Sequence, residues 1–219
     1  MTKQKIKVPK AVYLIVAAIL ILATLSQIVI LKYGNFKRNS QNMDDGIAAT
    51  ILYDPSPITS FRLTDHNGNA FNQDNLTGKW SILTFGYTHC PDICPTTLNI
   101  LNQVDKLLKE SNNANQPQFV FVSLDPERDS VAQLAEYIPW FNKEFIGLTG
   151  TKEQVEVLTK VLGILNQKRE VEGDGNYQID HTVTVMIVDT KAQLRALSSA
   201  PHDAQTLAND FVEITRKYN

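Results

Sequence analysis

Residues 80–95 read WSILTFGYTHCPDICP and join an apolar run to the start of a helix. The run from Trp80 to Tyr87 is typical of a central strand that is covered on both faces. After Pro95, apolar residues recur at intervals of three and four, which predicts a helix: Leu98, Leu101, Val104 and Leu108. A strand that leads directly into a helix indicates an α/β protein, and the carboxyl edge of such a sheet is where binding sites usually lie.

Strands and helices alternate along the rest of the chain. A hairpin is predicted around Asn67-Gly68, and a second one around Asp189-Thr190-Lys191. The remaining predicted strands are 118–124, 145–148, 182–188 and 193–198, and the predicted helices are 130–140, 151–165 and a last one from about 203. Residues 170–177 are predicted to be a polar loop. The pattern predicts a mixed, largely parallel sheet flanked by helices, in one domain over 58–219.

The N-terminal part of the chain predicts a membrane anchor. Residues 11–31 carry no charge, and as a helix they would span the hydrocarbon layer of about 30 Å. Lysines before and after this segment favour a cytoplasmic N-terminus at 1–10, with a linker at 32–57. A cleaved signal peptide is the disfavoured alternative, because no small-residue cleavage site follows the apolar run. We therefore expect a single-pass protein of the bacterial inner membrane, with its domain in the periplasm.

The charge of the domain excludes one class of partner. The first 38 residues hold seven of the 21 Lys and Arg and none of the 23 Asp and Glu. The remaining residues therefore carry 14 positive and 23 negative charges, a net charge of −9. Nonspecific nucleic-acid binding needs a basic face for the phosphates, so nucleic acid is not an expected partner.

Cys90 and Cys94, the two cysteines of the chain, are four residues apart. A disulfide between them would close a small loop and would constrain the unfolded chain little. On a helix, this spacing places the Cα atoms about 6 Å apart, near enough for a disulfide or for a shared metal ion. Cys94 is predicted at a helix N-terminus, which lowers a thiol pKa. Both a redox pair and a metal clamp remain open.

Two thiolates suit Cu(I), and a third ligand is expected. The chain has four histidines. We expect His66 to be a solvated turn residue and His202 to be a surface residue. His89 adjoins Cys90, and neighbouring side chains tend to diverge. His181 precedes a predicted strand, and its spacing alone leaves a ligand role open beside a structural one.

Residues 85–95 (FGYTHCPDICP) resemble the signature of the Sco/SenC copper-chaperone family, and residues 122–129 (VSLDPERD) and 179–181 (IDH) match it further along the chain. The resemblance covers the membrane segment and the domain after about Pro57. It implies a thioredoxin-like fold and one copper ion bound by Cys90, Cys94 and His181, as Cu(I), with Cu(II) left open. The stretch 182–190 departs from the family, which more often has a Tyr and an Asp-Pro there.

The resemblance also implies a function. The protein would be a metallochaperone that takes copper from a donor chaperone. It would deliver copper to the dinuclear centre of cytochrome c oxidase subunit II or a related cuproenzyme, or prepare the cysteines of that centre. The alternative is a thiol–disulfide oxidoreductase that acts on an exported protein, with Cys90 and Cys94 as its catalytic pair. A peroxidase is a third possibility, with Thr88 near the cysteines but no arginine assignable from the sequence.

Two acidic features near the motifs are ambiguous. Asp125, Glu127 and Asp129 could form an acidic docking surface, but a capped, solvated loop is the favoured interpretation. Asp180 is not expected to orient His181, because adjacent side chains of an extended chain point apart.

Overall fold

The computed structural model describes residues 46–55, 57–58, 61–111, 113–171 and 177–218. The predicted N-terminus at 1–10, the predicted anchor at 11–31 and most of the predicted linker lie outside these residues. Among the described helices, none has both the length and the apolar character needed to cross a membrane.

The described residues form a mixed α/β domain. Its strands are β1 Thr50–Ile51, β2 Arg62–Asp65, β3 Ala70–Asn72, β4 Ser81–Gly86, β5 Gln118–Ser123, β6 Ile146–Thr149, β7 Asn166–Glu170, β8 Tyr177–His181, β9 Thr184–Val188 and β10 Leu194–Ser199. Its α-helices are α1 Ile93–Glu110, α2 Val131–Tyr137, α3 Lys152–Val161 and α4 Ala204–Tyr218. Short 3₁₀ turns occupy Gln73–Asn75 and Ile138–Trp140.

The main sheet has eight strands in the order β1-β10-β9-β4-β5-β6-β2-β3. The pairs β4–β5 and β5–β6 are parallel, and the other pairs in this sheet are antiparallel. All six residues of β4 are buried, between β5 and β9. The predicted mixed sheet with a buried central strand is therefore confirmed. The prediction that this sheet is largely parallel is wrong, because five of its seven strand pairs among the described residues are antiparallel.

Helices cover the sheet through the apolar faces that the sequence predicts. The four apolar residues that predicted α1, Leu98, Leu101, Val104 and Leu108, are all buried, and each large buried side chain contributes about 1.5–3 kcal/mol. α1 packs against α4, and the ring of Phe211 in α4 meets Trp80 edge-on at 6.0 Å between centroids. The Ser130 hydroxyl caps α2 by accepting from Gln133 N, and the Thr151 hydroxyl caps α3 by accepting from Gln154 N.

Three segments differ from the sequence prediction. Thr50–Ile51 pairs with β10, although it lies in the segment 32–57 predicted as linker. The helix predicted at 151–165 ends at Val161. Residues 166–170 form β7, which pairs with β8 in a separate two-stranded ribbon; part of that ribbon was predicted to be loop. Every residue of β7 is exposed, so the strand carries no apolar alternation by which its sequence could be recognised.

Candidate metal centre

The two cysteines lie where the buried strand β4 passes into α1. Cys90 is in the connecting loop, with its N–H donating to the Tyr87 carbonyl at 3.2 Å. Cys94 lies in the first turn of α1, and its N–H donates to the Cys90 sulfur at 3.5 Å. Both side chains are buried, and neither forms a disulfide. The prediction that Cys94 sits at a helix N-terminus is confirmed.

Gly86, the last residue of β4, makes room for the Cys94 sulfur. A Cβ at this position would lie 2.6 Å from Cys94 Sγ and 2.8 Å from Cε2 of Phe121. Both distances are far inside van der Waals contact, so a side chain here would displace the sulfur or the ring. Gly86 lies inside the motif at 85–95, but no local sequence pattern marks it as part of the site.

His181, at the end of β8, reaches the cysteine pair from the other side. Its Nε2 lies 3.7 Å from Cys94 Sγ, and its Nδ1 lies 3.1 Å from the Thr182 carbonyl. A carbonyl can only accept, so Nδ1 carries the proton and Nε2 keeps its lone pair toward the sulfur. The ring also meets Tyr87 edge-on at 6.2 Å between centroids. The structure thus brings together the three side chains that the resemblance selects.

The distance between Cys94 Sγ and His181 Nε2 is that expected of two ligands to one metal ion. Bonds of about 2.3 Å to sulfur and about 2.0 Å to nitrogen, at tetrahedral to trigonal angles, place the two donors about 3.5–3.8 Å apart. The observed 3.7 Å between Cys94 Sγ and His181 Nε2 fits this range. Within the described residues, no group of three or more His, Cys, Asp or Glu side chains has the full geometry of a formed metal site. The donors are adjacent, and completing a site would need a local adjustment.

Of the two thiols, Cys90 loses its proton first. The hydrogen bond from the Cys94 thiol lowers the pKa of Cys90 to about 3, helped by His181 and by the N–H groups of Cys94 and Asp92, while burial opposes the shift. The pKa of Cys94 is raised, first by its hydrogen bond to Cys90 and then by burial. Cys90 is therefore the thiolate of the pair, and Cys94 is the thiol that supports it. The prediction that the helix N-terminus lowers the pKa of Cys94 is wrong, because the hydrogen bond to Cys90 and burial raise it.

A cavity of about 270 Å³ opens beside the cysteines. Its lining includes Tyr87, Cys90 and His181, together with Pro91 in the loop before α1 and Ile93 at the start of that helix. Ile93 is 49% exposed. Cys90 and His181 can therefore be approached from solvent, whereas the Cys94 sulfur lies deeper.

The loop 125–129 contradicts the idea of an acidic docking surface. Asp125 and Asp129 are buried, and only Glu127 is an exposed acid in this loop. Asp129 accepts hydrogen bonds from Thr88 N at 3.0 Å, from the Thr88 hydroxyl at 2.6 Å and from the Ser123 hydroxyl at 2.6 Å. Buried carboxylates satisfied in this way hold the loop together rather than attract a partner. The favoured alternative of a solvated loop is also wrong for these two residues.

The other three histidines differ in their burial and in their hydrogen bonds. His89 is exposed, with Nδ1 3.0 Å from the Thr88 hydroxyl. His66 is buried and accepts from Gly147 N at 3.0 Å, so its predicted role as a solvated turn residue is wrong. His202 is partly buried, and burial lowers its pKa; the prediction of a surface position is therefore only partly right. Asp180 is exposed and pairs with Arg169 at 3.0 Å, as expected of a residue that does not orient His181.

Comparisons with known proteins show which family this chain resembles. The family model described as SCO1/SenC matches residues 53–216. A curated relative, "Protein SCO1 homolog 1, mitochondrial" of Arabidopsis thaliana, is 36% identical over 159 residues, which are 72% of this chain and 47% of that protein. The crystal structure of Arabidopsis thaliana ScoI with copper bound has a TM-score of 0.69 at 36% identity and covers 74% of this chain and 99% of its own.

Yeast Sco1 with copper bound gives the same TM-score of 0.69 at 33% identity, covering 75% of this chain and 91% of its own. These similarities show a mixed α/β fold of the thioredoxin-like kind. The chain spans 47% of the Arabidopsis protein and 64% of a Rickettsia conorii relative, "SCO2-like protein RC0895". The match therefore spans about half of the length of the first relative.

Proposed function

This chain belongs to the SCO1/SenC family, and on that premise we propose that its domain binds copper through Cys90, Cys94 and His181 as part of cytochrome c oxidase assembly. The observation that carries the proposal is the 3.7 Å between Cys94 Sγ and His181 Nε2. These donors are 87 residues apart in the sequence. Two sulfurs and one imidazole form a soft donor set that suits Cu(I), and relatives of this chain have been crystallised with copper.

The ionisation of the two cysteines supports the binding and release of copper. Cys90 already holds a thiolate, whereas Cys94 must lose its proton for both sulfurs to bind one ion. Copper binding therefore releases a proton. A three-ligand site beside an open cavity leaves one side of the ion free, so incoming cysteines of an acceptor can replace the ligands one at a time.

The partners follow from the family. The acceptor is the dinuclear copper centre of cytochrome c oxidase subunit II or a related cuproenzyme, and a donor chaperone loads the site. A helix at 11–31 would keep the domain at the same membrane as the oxidase, which raises the effective concentration of both partners. We place the domain in the periplasm, at a bacterial inner membrane.

The test is a Cu(I) competition titration of the reduced domain. His181→Ala removes the nitrogen donor and is expected to weaken Cu(I) binding by at least tenfold, because a two-sulfur site lacks its third ligand. His89→Ala is the matched control, since His89 lies next to Cys90 in sequence but contacts Thr88. Equal Cu(I) affinities for the His181→Ala variant and the wild type would defeat the three-ligand proposal.

A second function is favoured by the two thiol pKa shifts. A thiolate at Cys90 and a protonated, buried Cys94 are the attacking and resolving groups of a thiol–disulfide oxidoreductase. Cys90 would attack an acceptor disulfide and form a mixed disulfide. Cys94 would then lose its proton, attack the Cys90 sulfur and release the acceptor as a dithiol, leaving a Cys90–Cys94 disulfide. Retained disulfide reduction with unchanged copper affinity in His181→Ala would favour this function.

A further inference from the structure

Arg128 connects the loop after β5 to the strand that carries His181. Its Nε donates to Asp125 Oδ2, and its Nη1 donates to the Tyr177 carbonyl at 3.1 Å. Its guanidinium carbon also lies 3.6 Å from the centre of the Tyr177 ring. Tyr177 is the first residue of β8, and His181 is the last. Arg128 therefore holds the end of β8 opposite to the imidazole.

Tyr177 is held from two further directions. Its hydroxyl donates to Asp125 Oδ1 at 2.7 Å, so one carboxylate binds both Arg128 and Tyr177. Lys168 of β7 covers the ring with its ammonium group, 3.5 Å from the ring centre. Burial, together with the bond to Asp125, raises the pKa of Tyr177 to about 12, so the hydroxyl keeps the proton that it donates.

The same loop holds the cysteine side of the site. Asp129, next to Arg128, receives two hydrogen bonds from Thr88, which is two residues before Cys90. The Arg128 guanidinium carbon lies 5.8 Å from the centre of the Tyr87 ring, and this ring packs edge-on against His181. The loop 125–129 thus contacts both halves of the site.

The ribbon that carries His181 depends on these contacts. In the described residues, β8 pairs only with β7 and is not part of the eight-stranded sheet. A two-stranded ribbon alone is at best marginally stable in water. At the His181 end, Thr182 bonds to Leu165, the residue before β7, which extends the pairing of the ribbon itself. The chain then passes within two residues into β9 of the main sheet, which anchors this end. At the Tyr177 end, the Arg128 and Asp125 contacts supply the attachment.

We propose that Arg128 is a positioning residue that, through Tyr177 and Asp125, sets the distance between His181 and the two thiols. This inference rests on the proposed copper site, which it deepens. A planar guanidinium can donate in two directions and stack on a ring at the same time, and a lysine ammonium cannot reproduce this geometry. Arginine is therefore needed for more than its charge.

The test compares Arg128→Lys with Glu156→Gln, a variant on α3 whose Lys160 partner is also exposed. Arg128→Lys is expected to weaken Cu(I) binding by about 10–100-fold, as is usual when an outer residue that orients a metal ligand is lost. Glu156→Gln should bind Cu(I) as the wild type does. In the His181→Ala background, Arg128→Lys should cause no further loss of affinity.

A measurement without metal separates this inference from the copper proposal. Amide hydrogen exchange in β7 and β8 of the metal-free Arg128→Lys variant should be at least tenfold faster than in the wild type, with exchange in β4 unchanged. Wild-type exchange in β7 and β8 would overturn the positioning role, whether or not the domain binds copper. If wild-type domain binds no copper but the exchange result holds, the site assignment fails and the positioning role stands.

Tyr177→Phe covers the case in which Arg128→Lys does not fold. It removes the hydroxyl that binds Asp125 and keeps the ring against Arg128. We expect amide exchange in β8 to be faster than in the wild type but slower than in Arg128→Lys. Cu(I) binding should also be weakened less than in Arg128→Lys. Exchange and Cu(I) affinity both equal to the wild type would contradict the role of this network.

Discussion

At the scale of single residues, the site depends on how closely the Cys94 sulfur approaches β4. Gly86 allows that approach, because a Cβ at this position would collide with both the Cys94 sulfur and the Phe121 ring. The sulfur position is therefore decided by packing as well as by the helix that carries Cys94. Because the sulfur lies so close to the Gly86 backbone, any larger residue at this position should disturb the site.

Gly86→Ala should destabilise the domain by about 1–3 kcal/mol, the usual cost of an added methyl group in a packed core. It should also weaken Cu(I) binding, because the new Cβ displaces the sulfur. Gly147→Ala is the control, since its Cβ would meet Ile138 Cγ1 at the same 2.6 Å without touching a cysteine. Urea unfolding and Cu(I) competition would be measured on both variants; equal losses of Cu(I) affinity in the two would contradict a specific effect on the sulfur.

The ionisation of Cys90 gives a second prediction at this scale. A folded-state pKa of about 3 means that Cys90 stays a thiolate as the pH falls from 8 to 5, whereas an ordinary cysteine, with a pKa near 8.5, would be protonated over that range. The 240 nm absorbance of the reduced, metal-free domain should therefore show one thiolate throughout. Cys94→Ala removes the main hydrogen-bond donor and should raise the pKa of Cys90. Loss of the thiolate signal between pH 8 and 7 in the wild type would contradict this assignment.

At the scale of elements, the carboxyl ends of β4 and β5 are joined through Asp129. This carboxylate accepts bonds from the loop after β4 and from Ser123 at the end of β5. Parallel strands bring these ends to one edge of the sheet. The helix and the ribbon that carry the sulfurs and the imidazole both depart from this edge, so its internal bonds determine the shape of the site.

Asp129→Asn should lower the free energy of unfolding by about 1–3 kcal/mol, because an amide nitrogen replaces an acceptor and leaves a buried donor without a partner. Asp180→Asn is the control. Asp180 pairs with Arg169 at the surface, where such pairs contribute at most about 1 kcal/mol. Urea unfolding curves at neutral pH provide the measurement, and equal midpoints for the Asp129→Asn and Asp180→Asn variants would argue against a bracing role for Asp129.

At the scale of the whole molecule, the domain and its predicted anchor can be tested together. In a bacterial host, alkaline phosphatase fused after the domain should be active, because the enzyme needs export to form its disulfides. Deletion of residues 1–31 should abolish phosphatase activity and release the protein from the membrane fraction. The intact mass of the membrane-bound chain distinguishes an anchor from a signal peptide, since a shortened chain would mean that the N-terminal segment is cleaved.

The sequence alone determined the class of fold, the central strand, the helix that begins at the cysteine motif and the family, because these features are local and periodic. Apolar runs and the spacing of residues 90–94 can be interpreted without knowing what lies nearby. Tertiary structure decided the rest: the ribbon of β7 and β8, the burial of Asp125 and Asp129, and the place of Gly86. These features depend on contacts between segments far apart in the chain, such as Arg128 with Tyr177. A local sequence pattern cannot predict such contacts.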